Sequence, residues 1–265
     1  MNYSPESLGL DTEDSESTLW PLFHLLDSCA RSEGTSTPAW AAQGIQQCCQ
    51  GCPEEHLGGF LFGFWGLLLD LVREIDVDHP AMDLLAEVVA ELKKLPSIKV
   101  NVHNEEKLLW TDLPVLEMEL LERFTAHEYG DASLIKEYQD EHIRINSFAA
   151  RLLPLGLSST RPTEALEYTL EREPCMDWDL EAASEYILRA GNTIFEHLDD
   201  PRFTELGYEG GPLYTGTKGV NMERWNFWKK RFRECGEAAS PDSKAHQKAL
   251  EASRKMDIIE AQAEH

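Results

Sequence analysis

The stretch Gly210–Gly219, GGPLYTGTKG, sets Gly211 and Gly216 five positions apart and follows them with Thr217 and Lys218. That is nearly the pattern in which backbone N–H groups cradle nucleotide phosphates. Such a loop needs lysine directly after the second glycine, and it follows a buried strand. Here lysine and threonine are inverted, and DDPRFTELGYEG upstream has no strand pattern. The string reads instead as a turn whose glycines permit positive φ before the next helix, and no cofactor is expected. The helix it feeds, VNMERWNFWKKRF, says more. Trp225, Trp228 and Phe232 recur at i, i+3 and i+7 on one stripe. Six basic residues stand against one acid between Lys218 and Arg233. Either the stripe anchors the helix and its cations dock on acidic helices of the same domain, or Lys218, Arg224, Trp225, Trp228 and Lys229 form a site for an anion or an acidic protein partner.

A second cluster, CCQGCPEEH, offers Cys49-x₂-Cys52 and His56. A structural zinc site takes four ligands, normally with a second pair further along the chain. Cys175 and Cys235 stand isolated in the sequence, so no metal is expected and the cysteines read as small buried residues near a helix end. The third constellation lies on a helix expected over Ala132–Leu153. Leu134, Tyr138, Ile145, Phe148 and Leu152 form its apolar stripe, Glu141 fills the vacant position on it, His142 sits beside, and Asn146 follows one turn on. The preceding helix leads to His127 on its own apolar face. A carboxylate on a core-facing seam is costly unless paired. The structural reading gives Glu141 an arginine such as Arg144 or Arg151. The sharper one is a pocket where Glu141 and His142 or His127 do acid–base work, with Asn146 as a ligand contact. No Ser/His/Asp arrangement is legible, and whether the protein is an enzyme stays open.

The elements that must position these groups are helical almost throughout. PAMDLLAEVVAELKKL places Leu84, Leu85, Val88, Val89, Leu92 and Leu95 at helical spacing, and Pro80 suits its first turn. Thr37-Pro38 opens another helix in the same way, running to about Cys49. Pro53 with Glu54 and Glu55 opens the apolar run LGGFLFGFWGLLL, whose thirteen residues are short of the roughly 20 a bilayer span needs. Further helices are expected over Leu113–Tyr129, Thr163–Glu173, Asp177–Leu198 and Asn221–Gly236. Gly59, Gly63 and Gly66 share a face of the apolar helix, which either lets a neighbour approach closely or leaves a slot for an apolar ligand. No segment alternates with period two, so strands should be absent or trivial. The spacing predicts an all-α fold, a single irregular, orthogonal multi-helix bundle over residues 17–238. An acidic disordered head over 1–16 precedes it, and a peripheral C-terminal helix or tail over 239–265 follows, its stripe of Ala249, Ala252, Met256 and Ile259 being thin.

Composition narrows the partners. The chain of 265 residues has 48 acids against 24 bases, a formal charge of −24. That surplus repels phosphate backbones and anionic headgroups, so neither nucleic acid nor membrane is an expected partner. The N-terminus has no basic and apolar signal pattern, and six sparse cysteines do not make a disulfide scaffold, which points to a reducing cytoplasmic setting.

In order along the chain come WTDLP (Trp110–Pro114), NSFAARL (Asn146–Leu152), ALEYTLE (Ala165–Glu171), AASEYILRAG (Ala182–Gly191) and the string from Gly210 to Phe232. Together they resemble a filamentous-fungal family known only as a domain of unknown function, the one numbered thirty-six thirty-two, over roughly residues 40–235. The resemblance implies a helical fold and a fungal source, and carries no catalytic residues with it. Where the family often has a tryptophan ahead of the Asn-x-Phe element, this chain has His142. The expected function is a non-catalytic binding or interaction protein. The alternative is an accessory protein or enzyme of fungal secondary metabolism holding an apolar small molecule near the glycine face.

Overall fold

In the computed structural model, residues 3–10, 19–102, 104–125, 135–157, 161–198, 200 and 210–263 are described. The chain divides into two compact units, Met1–Phe148 and Ala149–His265, a division that does not follow the expected boundaries near 17 and 238. Ten α-helices and one short hairpin occur among the described residues, so the fold is all-α as its periodicity implies.

The first unit opens with α1 (Leu19–Ala30) and α2 (Pro38–Gln50). Thr37 caps α2, its hydroxyl accepting from the Trp40 N–H at 3.2 Å, with Pro38 in the first turn. A 3₁₀ turn, Glu54–His56, leads into α3 (Leu57–Arg73), and α4 (Pro80–Lys93) follows. His79 caps α4 by accepting from the Ala81 N–H at 3.1 Å. With its 3₁₀ turn, the run Glu54–Arg73 reaches 20 residues at a mean hydropathy of 1.3, long and apolar enough to cross a membrane, and 56% of it is buried within the protein. Phe64 and Trp65 of α3 meet Trp110 edge-on, ring centres 6.0 and 6.2 Å apart. The Trp65 indole donates to the Pro114 carbonyl at 2.9 Å, so the polar end of the ring is satisfied inside the core.

Strands β1 (Lys99–Val102) and β2 (Glu105–Leu108) pair antiparallel in the register Lys99 to Leu108, with Val100 and Val102 turned inward. Next come α5 (Leu116–Thr125) and α6 (Ile135–Leu152), within which the division into units falls. α5 begins three residues later than the apolar spacing suggests. Leu113 and Val115 both have positive φ, 47° and 76°, on either side of Pro114, and the residue before proline is steered away from helix.

The acidic head departs from expectation over residues 3–10. Tyr3, Leu8 and Leu10 are buried there, and the Tyr3 hydroxyl donates to Asp27 at 2.7 Å. Two leucines and a tyrosine supply enough apolar surface to hold a short turn down despite the acids around them.

The second unit holds α7 (Arg161–Leu170), α8 (Asp177–Glu196, kinked at Ala190), α9 (Met222–Ala238) and α10 (Lys244–Ala263). Its core gathers Leu166, Leu180, Ile187, Trp225, Trp228 and Phe232. α10 is not peripheral: Ala245, Ala249, Ala252 and Met256 have no exposed surface. Its stripe is thin because close approach needs small residues. A Cβ added at Gly191 of α8 would stand 2.8 Å from the Ile259 side chain of α10. Little hydrophobic volume per residue here marks tight helix contact, not weak attachment.

Candidate functional site

Glu171, just past the end of α7, has no exposed surface. Its Oε1 accepts from Arg224 Nε and from the Trp228 indole, each at 2.7 Å. Its Oε2 accepts from Arg224 Nη2 at 3.0 Å and from the Gly211 N–H at 2.5 Å. The glycine string therefore does hold an anion, and the anion is the chain's own carboxylate. Gly211 must lack a side chain for this: a Cβ there would stand 2.8 Å from the Glu171 carbonyl oxygen. Leu213 N–H donates to that carbonyl at 2.9 Å, and Thr217 N–H donates to the Glu223 carboxylate at 2.9 Å. Asn221 caps α9 by accepting from the Arg224 N–H at 3.0 Å. The same Arg224 is fully buried, reaches Glu167 at 3.0 Å and the Gly219 carbonyl at 3.2 Å, and lies against the Tyr214 and Trp228 rings.

The remaining cations of α9 are answered within the same unit. Lys229 meets Asp257 at 3.0 Å and Glu260 at 2.6 Å, and Glu260 also accepts from the Trp225 indole at 2.8 Å. Arg231 reaches Glu173 at 2.6 Å and Arg233 reaches Asp257 at 3.6 Å. Of the residues grouped as an anion or partner site, Arg224, Trp225 and Trp228 are wholly buried, Lys229 is paired, and Lys218 is at the surface. The aromatic stripe anchors, Arg224 meets Glu167 of α7, Lys229 and Arg233 meet acids of α10, and Lys230 stays exposed beside Glu234 of its own helix.

Of the carboxylate–histidine constellation, Glu141, His142 and Asn146 lie on α6. Glu141 lies 3.8 Å from Arg73 instead of meeting Arg144 or Arg151. Arg144 donates to the Arg73 carbonyl at 2.5 Å, while Arg151 stands 3.9 Å from the fully buried Glu185. Asn146 is buried and donates to the His142 carbonyl at 2.8 Å. His127 lies outside the described residues. Among the described residues, no three His, Cys, Asp or Glu side chains converge as a metal-ligand set.

Sequence reasoning passed over two acids that have no exposed surface, Glu171 and Glu185. Glu185 interrupts the apolar run AASEYIL, and it takes Lys248 as a very close partner and Arg189 at 3.1 Å. A lone acid inside an apolar stripe was the available signal.

The first unit carries an open groove of about 720 Å³, lined by Leu19 and Pro21 of α1, by Gln47, Cys48, Gly51, Cys52 and Pro53 around the end of α2, and by Glu55, His56, Gly59 and Phe60. The glycine face of α3 divides in its use. A Cβ at Gly63 would stand 2.9 Å from Leu19, so that position serves close packing. A Cβ at Gly59 would meet nothing within 4 Å, so that position forms open floor. Neither Glu141, His142 nor Asn146 lines the groove. Two thiols do. Burial raises Cys48 above the ordinary thiol range, and burial followed by the charge of Glu55 raises Cys52. Both keep their protons at neutral pH and present soft, uncharged sulfur. Cys52 donates to the Pro53 carbonyl at 3.5 Å. The groove thus offers hydrocarbon, sulfur and a bare helix backbone, with Gln47, Glu55 and His56 as the polar lining residues.

No curated protein and no solved structure matches the chain. A family described as a protein of unknown function, DUF3632, matches residues 65–232. The matched span takes in Glu171, Arg224 and Trp228 and begins after the residues that line the groove. With more than half its length matched, from Trp65 on α3 through the glycine corner to Phe232 on α9, the chain belongs to the DUF3632 family.

Proposed function

We propose that the protein is a non-catalytic binding protein that seats an apolar small molecule in the groove beside Gly59. The observation that supports this reading is the groove itself: its volume, about 720 Å³, falls in the range of small-molecule sites, about 300–1,000 Å³. Its floor at Gly59 is left open, and its two thiols are held neutral. A molecule placed there gains from the apolar area it takes out of water, about 25 cal/mol per Å². The lining supplies no activated nucleophile, which favours holding a ligand over transforming it. A partner protein docking on the basic helix has less support, since Arg224 and Lys229 already meet acids of their own unit.

Nile red, a neutral apolar fluorophore, is a suitable probe. The native chain should bind it saturably with a blue-shifted emission. Gly59→Phe should weaken binding at least tenfold while leaving the thermal midpoint within a few degrees, because the new side chain enters open space. Equal affinity in Gly59→Phe and the native chain would remove the groove as the site.

A further inference from the structure

Cys175 and Cys235 are far apart in the sequence, and the fold of the second unit brings them to one place. Arg231, one helical turn before Cys235 on α9, sets the register. It donates from Nε to the Leu170 carbonyl at 2.9 Å and from Nη2 to Glu173 at 2.6 Å. The turn between α7 and α8 is thereby strapped to α9 at the level where Cys235 is buried. Cys175, half-buried in that turn, packs against the core cluster to which Cys235 belongs. The two thiols lie close enough for each to shift the acidity of the other. The Cys175 thiol comes first and the Arg231 charge second in holding Cys235 below the usual thiol range, against the opposing effect of burial. Cys175 is raised by Cys235 and then by burial.

We propose that Cys175 and Cys235 are a site of reversible disulfide formation driven by hydrogen peroxide. The more acidic thiol, Cys235, releases its proton to solvent and attacks a peroxide oxygen as the thiolate. A sulfur–oxygen bond forms, the oxygen–oxygen bond breaks, and the departing hydroxide takes the Cys175 proton to leave as water. The Cys175 thiolate then attacks the Cys235 sulfenic sulfur. The disulfide forms, and a second hydroxide leaves and is protonated by solvent. In sum the two thiols give up two electrons and two protons, and one peroxide is reduced to two waters. The other four cysteines lack this arrangement: burial raises Cys29 and Cys49 to about 11 and also raises Cys48 and Cys52, which slows their attack on peroxide. A small oxidant suits a nucleophile as enclosed as Cys235.

The test uses the full chain, reduced, freed of reductant, exposed to graded hydrogen peroxide, alkylated and digested for mass spectrometry. The expected product is a cross-linked peptide pair containing Cys175 and Cys235, two hydrogens lighter than the separate peptides. It should form before any change at Cys29, Cys48, Cys49 or Cys52 and vanish with dithiothreitol. In Cys175→Ser, Cys235 should stop at a sulfenic acid trapped by dimedone, while in Cys235→Ser, Cys175 should stay alkylatable. Oxidised native chain should melt several degrees above reduced chain. The proposal is overturned if both thiols of the native chain stay alkylatable after the other cysteines have reacted. It is overturned equally if they end as separate sulfinic acids, or if the cross-link joins two chains.

Discussion

A carboxylate with no exposure must find a donor for each lone pair it withdraws from water, and Glu171 finds four: two from Arg224, one from Trp228 and one from Gly211. Cutting such a pair on one side leaves an uncompensated buried charge, which costs about 3–5 kcal/mol, whereas replacing both partners with apolar groups is often close to neutral. Glu171→Ala should therefore lose about that much stability in urea unfolding, and Glu171→Leu with Arg224→Met should recover most of it. If the double variant is no better than the single one, the network does more than satisfy itself. Asp179, in the first turn of α8, gives the residue-scale pH prediction. Burial raises its acid from 3.8 to about 6, with Arg161 opposing. The folded-state value is the higher one, so this group's contribution is fully present below the unfolded value and is lost as pH rises through about 6. Asp179→Asn should remove that slope between pH 4 and 7 and raise stability at pH 7 by on the order of 2 kcal/mol. Parallel stability–pH curves for variant and native chain would refute this.

At the scale of helices, the same residue type acts in opposite senses according to what lies beside it. Gly58 and Gly59 face open space, so alanine at either should stabilise α3 by about 0.5–1 kcal/mol. Gly191 faces Ile259 at close range, and alanine there should cost about 1–3 kcal/mol by overpacking α8 against α10; urea midpoints read both. The sequence announces the starts of α2 and α4 through Thr37-Pro38 and His79-Pro80, because a cap and its helix are neighbours in the chain. It announces the anchoring stripe of α9 for the same reason. It misplaces α10, whose contact residues are alanines that carry little hydrophobic signal, and the head, whose Tyr3 finds its partner 24 positions away. The glycine face of α3 is legible as one wall of a slot, but the other walls are not, because α1 and the end of α2 contribute them separately. The donors to Glu171 lie 40 to 57 positions downstream of it, beyond the reach of any local pattern.

Over the whole molecule, a formal charge of −24 acts on the folded chain through self-repulsion. Exposed pairs such as Lys94–Glu91 and Lys99–Glu106 offset little of it, being worth about 0–1 kcal/mol each. The buried pairs around Glu171 and Glu185 are shielded from ions. Sodium chloride raised from about 0.02 M to about 0.3 M shortens the screening distance several-fold and should increase the thermal midpoint. A falling midpoint would mean that exposed ion pairs outweigh the repulsion. The family span covers the Glu171 network, and the groove is lined by residues ahead of the matched region.

The glycine corner already has a tenant. Glu171 arrives on the same polypeptide as the amides it engages, at an effective concentration no dissolved phosphate approaches. A metabolite anion would have to displace it and strand the Glu171 carboxylate without its four donors in a dry interior.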